Sequence, residues 1–299
     1  MPPEYRSGFA CFVGRPNAGK TTLTNAMVGR KIGITSSRPQ TTRHAVRGIV
    51  HRADAQLVLV DTPGLHKPRT VLGQRLNDVV RSTLAEVDIV GFCVPADQPV
   101  GPGDRYIAAE LSRLSTPVLA VVTKTDLADR ATLTAQLLAV SRLAEFADVV
   151  PVSAVSGDQV ELLTDLLMQR LGSGPAFYPE GELTDEPEQA LVAEFIREAA
   201  LDGVRDELPH SIAVTIEEMG PREGREDLID VHALLYVERA SQKGIVLGHR
   251  GERIKQVGTT ARRQIEALLG TRVFLELHVK VLPGWQNDPK HLRRLGFDR

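Results

Sequence analysis

Eight consecutive residues constrain this 299-residue chain more than any other stretch: Gly14, Arg15, Pro16, Asn17, Ala18, Gly19, Lys20 and Thr21. They read G-x-x-x-x-G-K-[ST], follow the apolar run 9–13 and open the helical stretch 21–28. The glycines let the backbone curl so that its N–H groups aim at one point, which the positive end of the following helix also faces. Between a strand and a helix, such a loop cradles phosphate. Lys20 is then placed to reach the β- and γ-phosphates of a nucleotide and the Thr21 hydroxyl to ligate Mg2+, with Thr22 beside them among the nucleotide-contacting residues.

The surrounding pattern agrees. Short β-branched runs at 9–13, 46–51, 56–60, 89–94, 118–122 and 149–152 alternate with amphipathic stretches at 105–114, 132–144 and 159–171. In the first of these stretches Ile107, Leu111 and Leu114 recur at the spacing of a one-faced helix. The alternation predicts an α/β domain over residues 1–172, a mostly parallel sheet with helices on both faces. Residues 173–187, with Pro175, Pro179, Gly181 and Pro187 among acidic side chains, read as a linker that buries little. From 188 to 299 the order becomes helix 189–201, strands 211–217 and 228–237, a basic helical stretch 248–269, strand 272–281 and a short terminal helix. That order is a smaller α+β domain.

Two domains is also the prior for this length. A formal net charge of −2 excludes a protein that coats polyanions wholesale, so any nucleic-acid contact must be a local patch. Cys11 and Cys93, the only cysteines, sit in apolar runs and read as buried thiols of a reducing compartment. No signal-peptide pattern is present and no run approaches the roughly 18 apolar residues of a membrane span, so a cytoplasmic location is expected.

Three further motifs lie at the ends of predicted strands. Asp61, Thr62, Pro63 and Gly64 close the strand 56–60. A carboxylate there holds Mg2+ through water, and the Gly64 N–H reaches a γ-phosphate. Upstream, the polar string Pro39-Gln-Thr41-Thr42-Arg43 offers a threonine that completes the Mg2+ shell only while the γ-phosphate is present, which makes a switch. Thr42 is preferred to Thr41. The catalytic candidates are thus Lys20, Thr42 and Gly64, and the metal ligands Thr21, Thr42 and Asp61. After strand 118–122 come Thr123, Lys124 and Asp126. Asp126 accepts from guanine N1–H and the exocyclic amino group, a donor pair adenine lacks, and a carboxylate left unpaired is costly. Lys124 packs its stem along the base, and Ser153, Ala154 and Val155 supply N–H groups to guanine O6. The nucleotide is therefore GTP or GDP.

Taken in order, these five elements resemble those of the translation-factor class of P-loop GTPases. Gln40-Thr-Thr-Arg-His44 and Asp61-Thr-Pro-Gly-Leu65, with the second domain, are similar to the Era family of bacterial GTPases. The resemblance implies a GTPase of 30S ribosomal subunit assembly whose C-terminal type II KH domain binds the 3′ end of 16S ribosomal RNA. It also implies a monomer and a peripheral association with the inner membrane, for which no lipid-binding helix is evident. The base motif departs from the family's Asn-Lys-x-Asp at Thr123. An Asn carboxamide both reaches guanine N7 and ties its loop to the cradle, whereas a hydroxyl does one of these. Leu65 stands where Ras-like enzymes place a water-orienting glutamine, so slow intrinsic hydrolysis is expected. In related GTPases an Asn at the position of Asn17 accompanies a bound K+, and a K+ site is expected here.

In the second domain, Gly248-His249-Arg250-Gly251 forms a G-x-x-G between an apolar run and an amphipathic helix. A KH domain uses such a loop to clamp about four nucleotides of single-stranded RNA. Between residues 239 and 263 seven Lys or Arg face one acid, Glu252, the footprint of a phosphate-binding groove. The expected RNA contacts are Lys243, Gly248, His249, Arg250, Gly251, Arg253, Lys255 and Arg262. Trp285, the single Trp, reads as an anchor for the terminal helix rather than a stacking platform. A rival reading, an RNA-binding scaffold with a structural nucleotide site, draws on Thr123 and Leu65. Another translation-associated GTPase, acting on tRNA modification, would need a cofactor or catalytic-cysteine signature that is not evident.

Overall fold

The computed structural model describes residues 4–35, 42, 43, 45–65, 70–202 and 211–296. Two compact units part between Asp185 and Glu186. In the first, strands β1 (Arg6–Val13), β2 (Val46–His51), β3 (Ala55–Asp61), β4 (Ile89–Pro95), β5 (Val118–Thr123) and β6 (Asp148–Pro151) alternate with helices. These are α1 (Lys20–Val28), α2 (Val71–Glu86), α3 (Pro102–Leu111), α4 (Arg130–Ser141) and α5 (Val160–Met168). The sheet order is β2-β3-β1-β4-β5-β6, parallel except for β2, which runs antiparallel to β3 at one edge. Leu23, Leu57 and Leu163 pack in one core cluster and Val80, Ile107 and Val140 in another, so both faces are covered. Strand β4 is buried along its whole length, which is why it reads as an unbroken apolar run. The loops after β1, β3, β5 and β6 all leave from the carboxyl ends of parallel strands, where open α/β sheets bind ligands.

Two helices begin earlier than their apolar spacing predicts, because side-chain caps set the start. Asp104 accepts the Gly101 N–H at 2.9 Å and Pro102 occupies the first turn of α3. Asp129 accepts the Thr132 N–H at 2.7 Å at the head of α4.

Residues 173–185 include no fully buried residue, yet they are hydrogen-bonded along the first unit. Gln56, fully buried in β3, accepts the N–H groups of Phe177 and Tyr178 at 2.7 and 3.0 Å and donates to the Tyr178 carbonyl at 2.9 Å. The Ile49 N–H donates to the Leu183 carbonyl at 2.9 Å, and Asp185 accepts from Arg47 and from the Tyr178 hydroxyl. A buried carboxamide left unsatisfied costs about 1–3 kcal/mol, so Gln56 requires this strap.

The second unit contains α6 (Glu188–Leu201), β7 (Ala213–Arg222), β8 (Arg225–Val237), α7 (Ala240–Leu247), α8 (Glu252–Leu269), β9 (Arg272–Val281) and α9 (Pro289–Arg294). Its sheet runs β7-β8-β9, antiparallel then parallel. Helices α6 and α8 pack together through buried residues such as Ile196, Ala261 and Ile265. Strands β7 and β8 extend beyond their expected ends because Gly224, at φ 74°, closes a tight turn between them. Pro221 is tolerated there because β7 is an edge strand. Helix α7 was not separated from its surroundings by apolar spacing; Gly248 ends it and opens the G-x-x-G loop.

Candidate functional site

The loop after β1 is shaped by residues that tolerate positive φ, Asn17 at 63° and Gly19 at 85°. A Cβ on Gly14 would lie 2.5 Å from the Cys93 carbonyl oxygen, so only glycine fits beneath that strand end. Ala18 is wholly buried in the core and offers the site only its backbone. Arg15 turns away to pair its Nε with the fully buried Asp104 carboxylate at 3.1 Å, a partner that sequence spacing does not disclose. Lys20 is buried, and its Nζ donates to the carbonyls of Gly14 and Arg15 at 3.3 and 3.2 Å. Burial holds its ammonium below the ordinary value, opposed by the charges of Asp61 and Cys93.

Three hydroxyl and carboxylate groups from separate segments meet beside Lys20. The Thr21 Oγ1 donates to Asp61 Oδ2 at 2.6 Å, the Thr42 Oγ1 donates to the same oxygen at 3.2 Å, and the two hydroxyls lie 2.9 Å apart. Hard oxygen donors suit Mg2+, whose octahedral shell places adjacent ligands roughly 3 Å apart. The residues present therefore fit the ion. Thr41 and Gln40 lie outside the described residues. Thr62 is buried and donates to the Phe12 carbonyl at 2.9 Å, which ties the start of this loop to β1. Beyond Pro63, a Cβ on Gly64 would meet the Pro16 backbone at 2.9 Å, so Gly64 presses directly on the phosphate loop. The Leu65 N–H donates to the Gly14 carbonyl at 3.2 Å, and its side chain packs against the core.

Farther along the same edge lies an open cleft bounded by Gly19, Thr22, Thr123, Lys124, Asp126 and Ala154. Thr123 is buried and donates through Oγ1 to the Ala18 carbonyl at 2.7 Å. It ties the base turn to the phosphate loop, one of the two tasks open to it. Lys124 adopts φ 58°, and Asp126 Oδ1 accepts from Ser153 Oγ at 2.6 Å. Ser153 in turn accepts the Ser156 N–H at 3.1 Å, so the carboxylate is held in place from behind. Leu127 and Val155, 61% and 79% exposed, supply apolar walls suited to a flat ring. Leu127 was not singled out from sequence, although a leucine directly after Asp126 in a polar turn was the available signal.

In the second unit the G-x-x-G loop also uses positive φ, at Gly248 (71°), Arg250 (49°) and Gly251 (79°). His249, Arg250, Lys255 and Arg262 are exposed, and Lys243 is half-buried. Arg253 does something else. Its Nη2 donates to the carbonyls of Ala200 and Asp202 at 3.3 and 2.6 Å, capping the C-terminus of α6, so part of its guanidinium is committed to the fold. Trp285 is fully buried and donates from Nε1 to the Ser211 carbonyl at 3.1 Å, the anchoring role rather than stacking.

The G-x-x-x-x-G-K-T loop after β1, the cleft beside it and the G-x-x-G unit are the features of a P-loop GTPase carrying a KH domain. Residues 9–124 match the family described as 50S ribosome-binding GTPase, and residues 207–286 match the KH domain family. The chain is 67% identical to GTPase Era of Streptomyces coelicolor, with 98% of this chain and 95% of the relative covered. It belongs to the Era family of GTPases. GTPase Era of Mycolicibacterium smegmatis is 62% identical over 98% of this chain and 99% of its own. The fold matches, at TM-score 0.94 and 33% identity over 98% of this chain and 99% of the other, a crystal structure of Era in complex with MgGDPNP and nucleotides 1506–1542 of 16S ribosomal RNA. A variant of Aquifex aeolicus Era bound to GDP.AlF4- matches equally well.

Proposed function

We propose that this GTPase works as a monomer in the cytoplasm, binds GTP with Mg2+ in the first unit and the 3′ end of 16S ribosomal RNA in the second, and acts in 30S subunit assembly. The observation that carries the switch is the meeting of Thr21, Thr42 and Asp61 oxygens within 3.2 Å of one another. Mg2+ held there neutralises charge on the β- and γ-phosphates. Lys20 Nζ, now donating to loop carbonyls, exchanges them for phosphate oxygens, which are stronger acceptors. Thr42 stays in place only while the γ-phosphate does, so hydrolysis releases the segment that carries it. Leu65 has no group with which to orient water. A K+ at Asn17 is the proposed aid to the transition state, and it requires faster turnover in KCl than in NaCl.

The test is the initial rate of GTP hydrolysis in KCl, with and without an oligonucleotide copying the 16S 3′ end. A His249→Asp/Arg250→Asp variant is measured alongside. RNA should raise the rate in the native chain and leave the variant's rate at its basal value. A native rate indifferent to RNA would remove the coupled switch. Bound nucleotide that never turns over would favour the scaffold.

A further inference from the structure

The Thr123 side chain is committed to the phosphate loop. Its hydroxyl carries a single proton, and that proton is donated to the Ala18 carbonyl inside the protein. Nothing remains for a second acceptor. N7 of guanine is an acceptor only. With N1 and the exocyclic amine on Asp126 and the phosphates in the 14–21 loop, the N7 edge faces the stretch between those two, where Thr123 sits. Lys124 lies along the face of the ring, not its edge. Asp126 can only accept, Leu23, Leu127 and Val152 in the walls have no side-chain donor, and the Thr22 hydroxyl sits in the first turn of α1, on the phosphate side of the cleft. Turning the Thr123 hydroxyl toward N7 would strip the buried Ala18 carbonyl of its partner.

We infer that this chain leaves N7 of the bound base without a hydrogen bond, and so accepts guanine nucleotides altered at that atom, such as 7-deaza-GDP, as readily as GDP. The inference rests on the guanine-site reading above. It also makes Thr123 a specificity-determining residue whose replacement by Asn creates a new selectivity. A carboxamide has two N–H donors, enough to keep the tie and address N7.

Displacement of a fluorescent GDP analogue from the full chain by GDP, 7-deaza-GDP and ADP provides the test. In the native chain GDP and 7-deaza-GDP should displace it with affinities within about twofold of each other, while ADP is far weaker. In Thr123→Asn, 7-deaza-GDP should fall behind GDP by about two- to tenfold, the worth of one neutral hydrogen bond. Thr123→Val, which loses the tie to Ala18, should weaken both guanine nucleotides alike and leave their ratio unchanged. A native chain that prefers GDP over 7-deaza-GDP by more than about threefold overturns the inference. If ADP competes as well as GDP, the guanine-site reading falls instead.

Discussion

Two glycine loops in this molecule, 14–19 and 248–251, use the same backbone device with opposite support. Both contain left-handed residues and both deliver the chain to a helix N-terminus, α1 in one case and α8 in the other. The first is walled in. The Cys93 carbonyl presses on Gly14, Gly64 presses on Pro16, Thr123 holds the Ala18 carbonyl and the Leu65 N–H holds that of Gly14. The second presents exposed His249 and Arg250 and is braced from behind, where a Cβ on Gly248 would meet that of Arg253 at 2.6 Å. Walls suit a small anion of fixed shape. An open loop suits a polymer that must lie along it, and its selectivity has to come from neighbouring side chains.

The contrast is most exposed to a pair of alanine substitutions. Gly14→Ala puts a methyl against a main-chain carbonyl that cannot swing aside, and should weaken GDP binding on the order of a hundredfold. Gly251→Ala meets only the Ile254 Cγ2, at 3.9 Å, so the left-handed backbone is its sole penalty, and RNA affinity should fall about tenfold at most. Calorimetric titrations showing equal losses would dissolve the distinction between walled and open loops.

A second pair separates bracing from contact within the open loop. Arg253→Met should lower stability by about 1–2 kcal/mol, through the lost cap on α6, and leave the salt dependence of RNA binding unchanged. Lys255→Met should do the reverse, with little change in denaturation and a salt slope shallower by about one. If Arg253→Met also flattens the slope, Arg253 touches phosphate after all.

One effect that is absent at neutral pH concerns the strands behind the phosphate loop. Burial pushes the thiols of Cys11 and Cys93 from 9.0 up to about 12. The folded chain keeps these protons where an unfolded chain sheds them, so their contribution to stability is complete below 9.0 and drains away as pH climbs toward about 12. Denaturation midpoints of a Cys11→Ala/Cys93→Ala variant should decline less steeply over that interval. An identical decline would assign the alkaline loss to other groups.

How much of this could be read from the chain depended on whether the partners are consecutive. The 14–21 loop was legible because its chemistry sits on adjacent residues between a strand and a helix. Thr42 is preferred to Thr41 only by weighing positions in a segment without periodicity; its hydroxyl lies 3.2 Å from Asp61 Oδ2, while Thr41 is outside the described residues. Arg253 was read as one more cation on a basic helix, because its true partners, two main-chain carbonyls more than fifty residues upstream, leave no mark in composition. Asp104 escaped notice for the same reason. Proline and glycine in 173–185 point to a linker that buries little, and nothing local reveals that Gln56 needs that stretch as its hydrogen-bond partner.

That last contact bears on how the molecule can be divided. A polypeptide ended at residue 172 would lack Phe177, Tyr178 and Leu183, leaving Gln56 uncovered and β2 with a bare edge ready to pair with another copy. One ended after Asp185 retains all of these. The portable module is thus longer than its motifs suggest, and its last thirteen residues are a splint on the very strand that descends from Thr42.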